Sequence, residues 1–360
     1  MSHTALRDSA LFEPSLFSGR LDAGAPLLAL CKETLIRGRR CILEGFQAGV
    51  PVKDLFHHHA RMIVQLVAEL WKRRISHTNI ALVAVGGFGR GELHPASDID
   101  LMVLTPPRPS TQVKRDIERF LTFLWDVGLE IGHSVRSIRD CVREAKADVS
   151  VATNLFEGRL LDGNEGLFLE MQRAIAPDRI WPAGKFFEAK RAEQAARYRK
   201  FEDTEHGLEP NVKDGPGGLR DIQMIGWVAQ RHFGPGHLHD LVDKEFLTEA
   251  EYDVLNAGRS FLWQIRFALH ALTGRREDRL LFDYQKGVAA ALGYVADDNS
   301  GVERFMKRYY LTVRDLSRLN EMLMQHFQEV IIHGRRKARI RPLNKRFQVH
   351  NDHIEVRNSR

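Results

Sequence analysis

Residues 85–104 read VGGFGRGELHPASDIDLMVL, and the reading of this stretch decides the fold. The preceding run IALVAVGG is short, apolar and rich in β-formers, and it ends on Gly86 and Gly87. Ten residues later DIDLMVL makes a second such run, closed by the breaker TPPRPS. Two neighbouring strands joined by a glycine-led loop are the expectation. On a strand, residues two apart share a face, so Asp98 and Asp100 present two carboxylates to one side while Ile99 and Leu101 bury on the other.

Each part of the string has a chemical use. Adjacent glycines let backbone N–H groups approach a polyphosphate without side-chain obstruction, and a helix beginning there adds partial positive charge. Arg90 is a candidate forked contact to phosphate oxygens, and Ser97 a further candidate nucleotide contact. Two hard anionic ligands on one face suit Mg²⁺, making Asp98 and Asp100 the candidate metal ligands and catalytic residues. A lone GG or a lone DxD reads as a turn or a strand end; their combination at this spacing reads as a site. Gly-Lys-Ser/Thr is absent, so this is no Walker loop, and the carboxylate-bearing second half is foreign to a dinucleotide fingerprint.

Outward from this centre, LLALCKETLIRGRRCIL and ARMIVQLVAELWKR repeat apolar residues three and four apart, predicting two or three leading helices over residues 1–75. Successive helical residues point apart, so His57, His58 and His59 read as surface or packing histidines. Beyond the second strand, a helix near Val113–Val127, a third strand in LEIGHSVRSI and a return to helix in DCVREAKADVSVATNLFEGRLL complete an α+β nucleotide-binding domain over 76–165. A mainly helical domain over 166–335 follows, punctuated by EPNVKDGPGGLRD and LTGRREDRL. Residues 336–360 read as a basic linker or the start of a further domain, with β-like RFQVHNDHIEV.

At 360 residues the chain has room for more than one core, and a hydrophobic fraction of 43% with 28% charged residues fits globular domains. No apolar run is long enough to span a bilayer and the opening MSHTALRDSALFEP lacks a signal core, so a cytoplasmic setting is expected. Cys31, Cys41 and Cys141 are too few and too scattered for a disulfide framework or a cysteine zinc site. The net charge of +6 is modest, and much of it sits in GRRKARIRPLNKR, which lacks aromatic platforms and reads as a solvated linker. Nucleic acid is therefore an unlikely partner.

The string VGGFGRGELHPASDIDL resembles the signature of the DNA polymerase β nucleotidyltransferase superfamily. Its fuller form GGFGRGELHPASDIDLMVL resembles the bacterial PII uridylyltransferase/uridylyl-removing enzymes, the GlnD family. LEPNVKDGPGGLRDIQMIGWVAQRHFG, from Leu208 to Gly234, is similar to the family's segment after the nucleotidyltransferase core, and FDYQKGVAAALGY and LNKRFQVHNDHIEV extend the resemblance less specifically. The resemblance implies an enzyme that transfers UMP from UTP to a tyrosine hydroxyl of a PII signal protein, releasing pyrophosphate. It implies too that UMP removal, by an HD-type domain, and glutamine sensing, by ACT domains, lie outside this chain. His239-Asp240 reads as helical surface instead of a piece of an HD site.

Superfamily members commonly carry a third carboxylate on a neighbouring strand, for which only Glu130 and Asp140 are candidates here. Two readings of EPNVKDGPGGLRD also stay open. Asn211, Lys213 and Arg220 close over the nucleotide, Lys213 and Arg220 as nucleotide-binding residues, or the loop is structural with Asp221 in the first turn of the next helix. Two other functions share the same motifs: a nucleotidyltransferase with an RNA or small-molecule acceptor, and a catalytically silent nucleotide-binding regulatory module.

Overall fold

A computed structural model describes residues 11–200, 207–333, 340–344, 346–350 and 353–356. Most of GRRKARIRPLNKR lies outside the described residues, as does most of the opening MSHTALRDSALFEP. The described chain is α+β, dominated by helices around a small mixed sheet. It divides into two compact units, neither of them contiguous: one of residues 1–180 and 260–305, the other of 181–259 and 306–360. The helical stretch after residue 166 is thus shared between the units.

The first unit opens with α1 (Pro14–Asp22), α2 (Leu27–Gln47) and α3 (Val52–Arg74). The apolar stripe of α3 buries Leu55, Phe56, Ile63, Leu66 and Leu70, and Lys72, Arg73 and Arg74 end it where positive charge offsets the helix dipole. Then come β1 (Ala81–Ala84), a single helical turn α4 (Gly86–Gly89), β2 (Ile99–Thr105), α5 (Thr111–Val127) and β3 (Ile131–Ser137). The Ser110 hydroxyl caps α5 by accepting from Val113 N at 3.2 Å, and Gly128 ends it at φ 93°. Trp71 of α3 meets Phe120 of α5 edge to face at 5.2 Å, locking these helices together.

After α6 (Ile138–Ala147) and α7 (Val149–Phe156) the chain forms β4 (Arg159–Gly163). The sheet runs β3-β2-β1-β4, with β1 antiparallel to both neighbours and β2 parallel to β3. Residues of β1 are buried throughout because it is interior to the sheet, which is why IALVAV shows a continuous apolar run instead of alternation. The helix expected through GRLL is a strand instead, the fourth of the sheet. Gly163 at φ 95° lies so close to the Ile80 carbonyl that an added Cβ would stand 2.4 Å from it. The first unit is completed by α8 (Glu165–Ala174), the later part of α12 (Glu249–Thr273), α13 (Phe282–Ala291) and the start of α14 (Ser300–Gln328).

The second unit holds α9 (Ala183–Lys200), α10 (Leu219–Phe233), the short α11 (Asp240–Asp243), the remainder of α12 and α14, and a three-stranded antiparallel sheet of β5 (Ile340–Pro342), β6 (Phe347–His350) and β7 (His353–Val356). Its core is organised by Asp221, 1% exposed. That carboxylate accepts from Tyr198 Oη at 2.6 Å, Gly217 N at 2.8 Å and Gln194 Nε2 at 3.0 Å, and pairs with Arg197. Four donors on one buried carboxylate supply the compensation that burying its charge requires. His239 sits beside Glu249 and Tyr252, and Asp240 accepts from His237 N, so the His-Asp pair serves local structure.

Cys31 and Cys141 are buried free thiols, both pushed up to about 11 by burial, and Cys41 is free as well. Among the described residues, no helix is long and apolar enough to cross a membrane.

Candidate active site

The glycine pair leaves β1 as a tight turn. Val85 N donates to the Asp100 carbonyl at 3.0 Å, joining the turn to β2, and Gly86 adopts φ 57°, a conformation that disfavours any side chain. A Cβ at Gly86 would stand 3.3 Å from Asp100 Oδ2 and 3.6 Å from Asn154 Oδ1, so this glycine leaves open the space beside the carboxylate. At Gly87 a Cβ would make only ordinary contacts, 3.6 Å to the Glu92 carbonyl and 3.7 Å to Arg90. The fold itself therefore does not require glycine there. The first N–H groups of any helical turn lack acceptors within it, which gives Gly87 and Phe88 donors suited to phosphate. As α4 is one turn long, its dipole adds little.

The turn is fixed by Gly89, Arg159 and Glu157, which the sequence did not mark out, together with Arg90, which it did. Gly89 fits only as glycine, since a Cβ would stand 2.2 Å from the Glu157 carbonyl. From β4, Arg159 donates to the carbonyls of Phe88 and Gly89, each at 3.2 Å. Arg90 is committed inside the protein: it pairs with Glu157 at 2.6 Å and Glu92 at 3.0 Å, and Glu157 is almost wholly buried. Burial opposes the Arg90 charge, but these carboxylates more than offset it and raise its pKa above the usual value. The arrangement makes Arg90 a tie between the turn and the end of α7, with its guanidinium already occupied by anions.

The loop that follows is pinned at two points. His59 of α3 donates Nδ1–H to the Leu93 carbonyl at 3.1 Å, and burial pushes its pKa down to about 4. Ala96 N donates to His270 Nδ1 of α12 at 3.3 Å. His94, 1% exposed, packs on Phe56 with ring centroids 4.1 Å apart. The histidine run therefore contributes packing through His59.

Asp98 and Asp100 emerge at the start of β2. In the parallel register with β3, Asp100 is opposite Gly132, where a Cβ would stand 2.5 Å from Asp100 Oδ1. Gly86 and Gly132 thus flank the two oxygens of one carboxylate, and both clear space for it. Asp98 is half-exposed and forms an ion pair with Arg276 from the loop after α12. Two carboxylates separated by one residue at the head of β2, one at the surface and one in a glycine-lined recess, form an oxygen donor set suited to a hard divalent cation. Among the described residues no cluster of three His, Cys, Asp or Glu side chains has metal-binding geometry.

The candidate third carboxylates differ. Asp140 closes a capping box on α6, accepting from Ser137 Oγ at 2.6 Å and Ser137 N at 3.1 Å, and pairs with Arg143. These bonds, the Ser137 hydroxyl foremost, hold its pKa below the ordinary carboxylate range, which makes it a poor proton acceptor. Glu130 is exposed; its carbonyl accepts from Ile99 N at 2.9 Å, and with Ser97, His59 and His270 it lines a partly open cavity of about 150 Å³ that neither Asp98 nor Asp100 lines.

Lys213 and Arg220 belong to the second unit. The Asn211 side chain accepts from Lys213 N at 3.0 Å and Asp214 N at 2.7 Å, shaping the turn, while Arg220 pairs with Asp214 at 3.3 Å, bonds Gln223 and lies over the Trp227 ring. Gly217 has φ 69° and its Cβ would stand 2.2 Å from the Val313 carbonyl, so backbone packing alone accounts for that glycine. With Asp221 as the hub of the core, the structural reading explains most of EPNVKDGPGGLRD.

Residues 61–154 match the family model for the nucleotidyltransferase domain, and residues 185–324 match that for GlnD PII-uridylyltransferase. The chain is 46% identical to the bifunctional uridylyltransferase/uridylyl-removing enzyme of Azotobacter vinelandii, over 97% of this chain and 39% of the relative. It is 46% identical to the enzyme of the same name in Stutzerimonas stutzeri, over 98% of the chain and 39% of that relative. The corresponding Pseudomonas aeruginosa protein is 45% identical over 97% of the chain and 39% of the relative. The chain therefore spans about two-fifths of the length of the curated relatives it matches. By its two domains and by identity along nearly its whole length, this chain belongs to the bifunctional uridylyltransferase/uridylyl-removing enzyme family, of which it carries the amino-terminal part.

Proposed function

We propose that this chain transfers UMP from UTP to a tyrosine hydroxyl of a PII signal protein, with Mg²⁺ held by Asp98 and Asp100, in a cytoplasmic setting. The observation that carries the reading is the Asp100 carboxylate at the head of β2, recessed between two glycines and one residue removed from Asp98. The attacking tyrosine oxygen gives up its proton to solvent and forms a bond to the α-phosphorus, the bond from that phosphorus to the bridging oxygen of the leaving group breaks, and pyrophosphate departs. A divalent cation held by Asp98 and Asp100 would neutralise charge on the phosphates and would lower the pKa of the attacking hydroxyl. The chain's own part is to hold two carboxylates rigid, present the Gly87 and Phe88 N–H groups, and keep the turn in place through Arg159 and the Arg90–Glu157 pair.

The base and acceptor assignments rest on the likeness to relatives named uridylyltransferase and to the PII-uridylyltransferase family model. The test is incubation of the chain with each of the four labelled ribonucleoside triphosphates, Mg²⁺ and a PII protein. Label on PII tyrosine from UTP alone is the expected result. Label on RNA or on a small molecule, with PII left unmodified, would instead identify a nucleotidyltransferase with another acceptor.

A further inference from the structure

Arg276 lies in LTGRREDRL, a segment that the transfer reaction as described does not use. The base of this loop is held firmly. Asp278 receives Arg266 Nε at 2.6 Å and lies 3.6 Å from His270 Nε2, and both partners are nearly buried side chains of α12. His270 in turn accepts from Ala96 of the loop leading to Asp98, so one histidine fixes both loops. Arg275 pairs within the loop, with Glu277 at 3.4 Å. Arg276 alone of the pair reaches to Asp98, by Nη1 to Oδ2.

A guanidinium on a metal-ligand carboxylate competes with the cation for the same oxygen. Once a divalent cation takes that oxygen, the guanidinium faces like charge and needs another anion, and the triphosphate that arrives with the cation supplies one. The exchange is inexpensive, because Arg276 and Asp98 are 55% and 42% exposed and an ion pair so wet is weak. Resting on the active-site reading above, we propose that Arg276 leaves Asp98 for the pyrophosphate portion of the incoming triphosphate. It thereby couples cation binding to nucleotide binding and positions the leaving group.

The test uses the whole chain without acceptor. Mn²⁺ is titrated by electron paramagnetic resonance, and inorganic pyrophosphate by calorimetry in saturating Mn²⁺, for wild type, Arg276→Gln, Arg276→Lys and Asp98→Asn. Arg276→Gln is expected to bind Mn²⁺ alone about two- to fivefold tighter, the range that losing an exposed ion pair permits. It is expected to bind pyrophosphate roughly tenfold or more weakly, as loss of a charge-assisted contact requires, with Arg276→Lys intermediate. Thermal melting confirms that these surface variants remain folded. If Arg276→Gln leaves Mn²⁺ and pyrophosphate affinities unchanged while Asp98→Asn weakens Mn²⁺, the role of Arg276 is overturned and the metal site stands. If Asp98→Asn also leaves Mn²⁺ binding unchanged, the active-site reading fails with it.

Discussion

Gly132→Ala adds a single methyl group and should nevertheless disable the site. The parallel register of β2 and β3 sets Gly132 opposite Asp100, and the new Cβ would stand 2.5 Å from Asp100 Oδ1, where ordinary contact begins at 3.4 Å. The carboxylate must therefore retreat by about 0.9 Å, and the open side is toward Gly86, into the space proposed for cation and phosphate. A displacement near 1 Å in a positioned group costs on the order of 10²-fold in rate. The strain should lower stability by only about 1 to 3 kcal/mol, so the protein stays folded. The assay is the initial rate of labelled UMP transfer to PII, with Mn²⁺ titration and thermal unfolding alongside. Because alanine acts through Asp100, the double variant with Asp100→Asn should be no worse than Asp100→Asn alone. A folded Gly132→Ala protein with a rate within about twofold of wild type would refute the recess as the seat of the chemistry.

Three further outcomes follow from the same geometry. Arg90→Ala should destabilise the first unit by about 3 kcal/mol, measured by denaturant unfolding, because it strands the buried Glu157 carboxylate; unchanged stability with weakened nucleotide binding would return Arg90 to a phosphate contact. Gly87→Val should weaken nucleotide binding in calorimetry with little change in melting temperature, since the fold leaves a Cβ room there; unchanged affinity would contradict the phosphate cradle. Burial holds His59 at about 4 against the usual 6.5, so the unfolded chain takes up a proton that the folded chain refuses. Its contribution is complete above pH 6.5 and is lost as pH falls toward 4, on the order of 3 kcal/mol over that window. His59→Gln should flatten this part of the pH dependence of the denaturation midpoint, and an unaltered slope would exclude His59 as its source.

The three strands around the proposed site were legible because they combine β-formers with sharp punctuation: IALVAV before two glycines, DIDLMVL before TPPRPS, and LEIGHSVRSI all match observed strands. The fourth strand was not, because Arg159–Gly163 is five residues long, only partly buried and directly follows a helix, leaving no periodicity to read. That Asp98 and Asp100 stand separated by one residue where a strand begins was legible from the pattern of the string; the role proposed for them was read from spacing and is for experiment to test. Gly132 was not, because its value depends on a strand register that the chain does not announce locally. Arg276 stands 178 residues from Asp98, and nothing in LTGRREDRL marks one arginine over its neighbours. Arg90 shows what spacing leaves out: an arginine beside a glycine-rich turn invites a phosphate contact, while the glutamates that it pairs with, Glu92 and Glu157, are recognisable as its partners only in three dimensions.

The central claim is that Asp98 and Asp100 together carry nucleotidyl transfer. Its most direct test is the rate of label transfer from UTP to PII by Asp98→Asn and Asp100→Asn, each compared with wild type at matched, verified folding. Both substitutions remove a ligand charge with almost no change in shape, and both should abolish transfer while leaving the melting temperature close to wild type. Transfer at a near-normal rate by either folded variant would contradict the account.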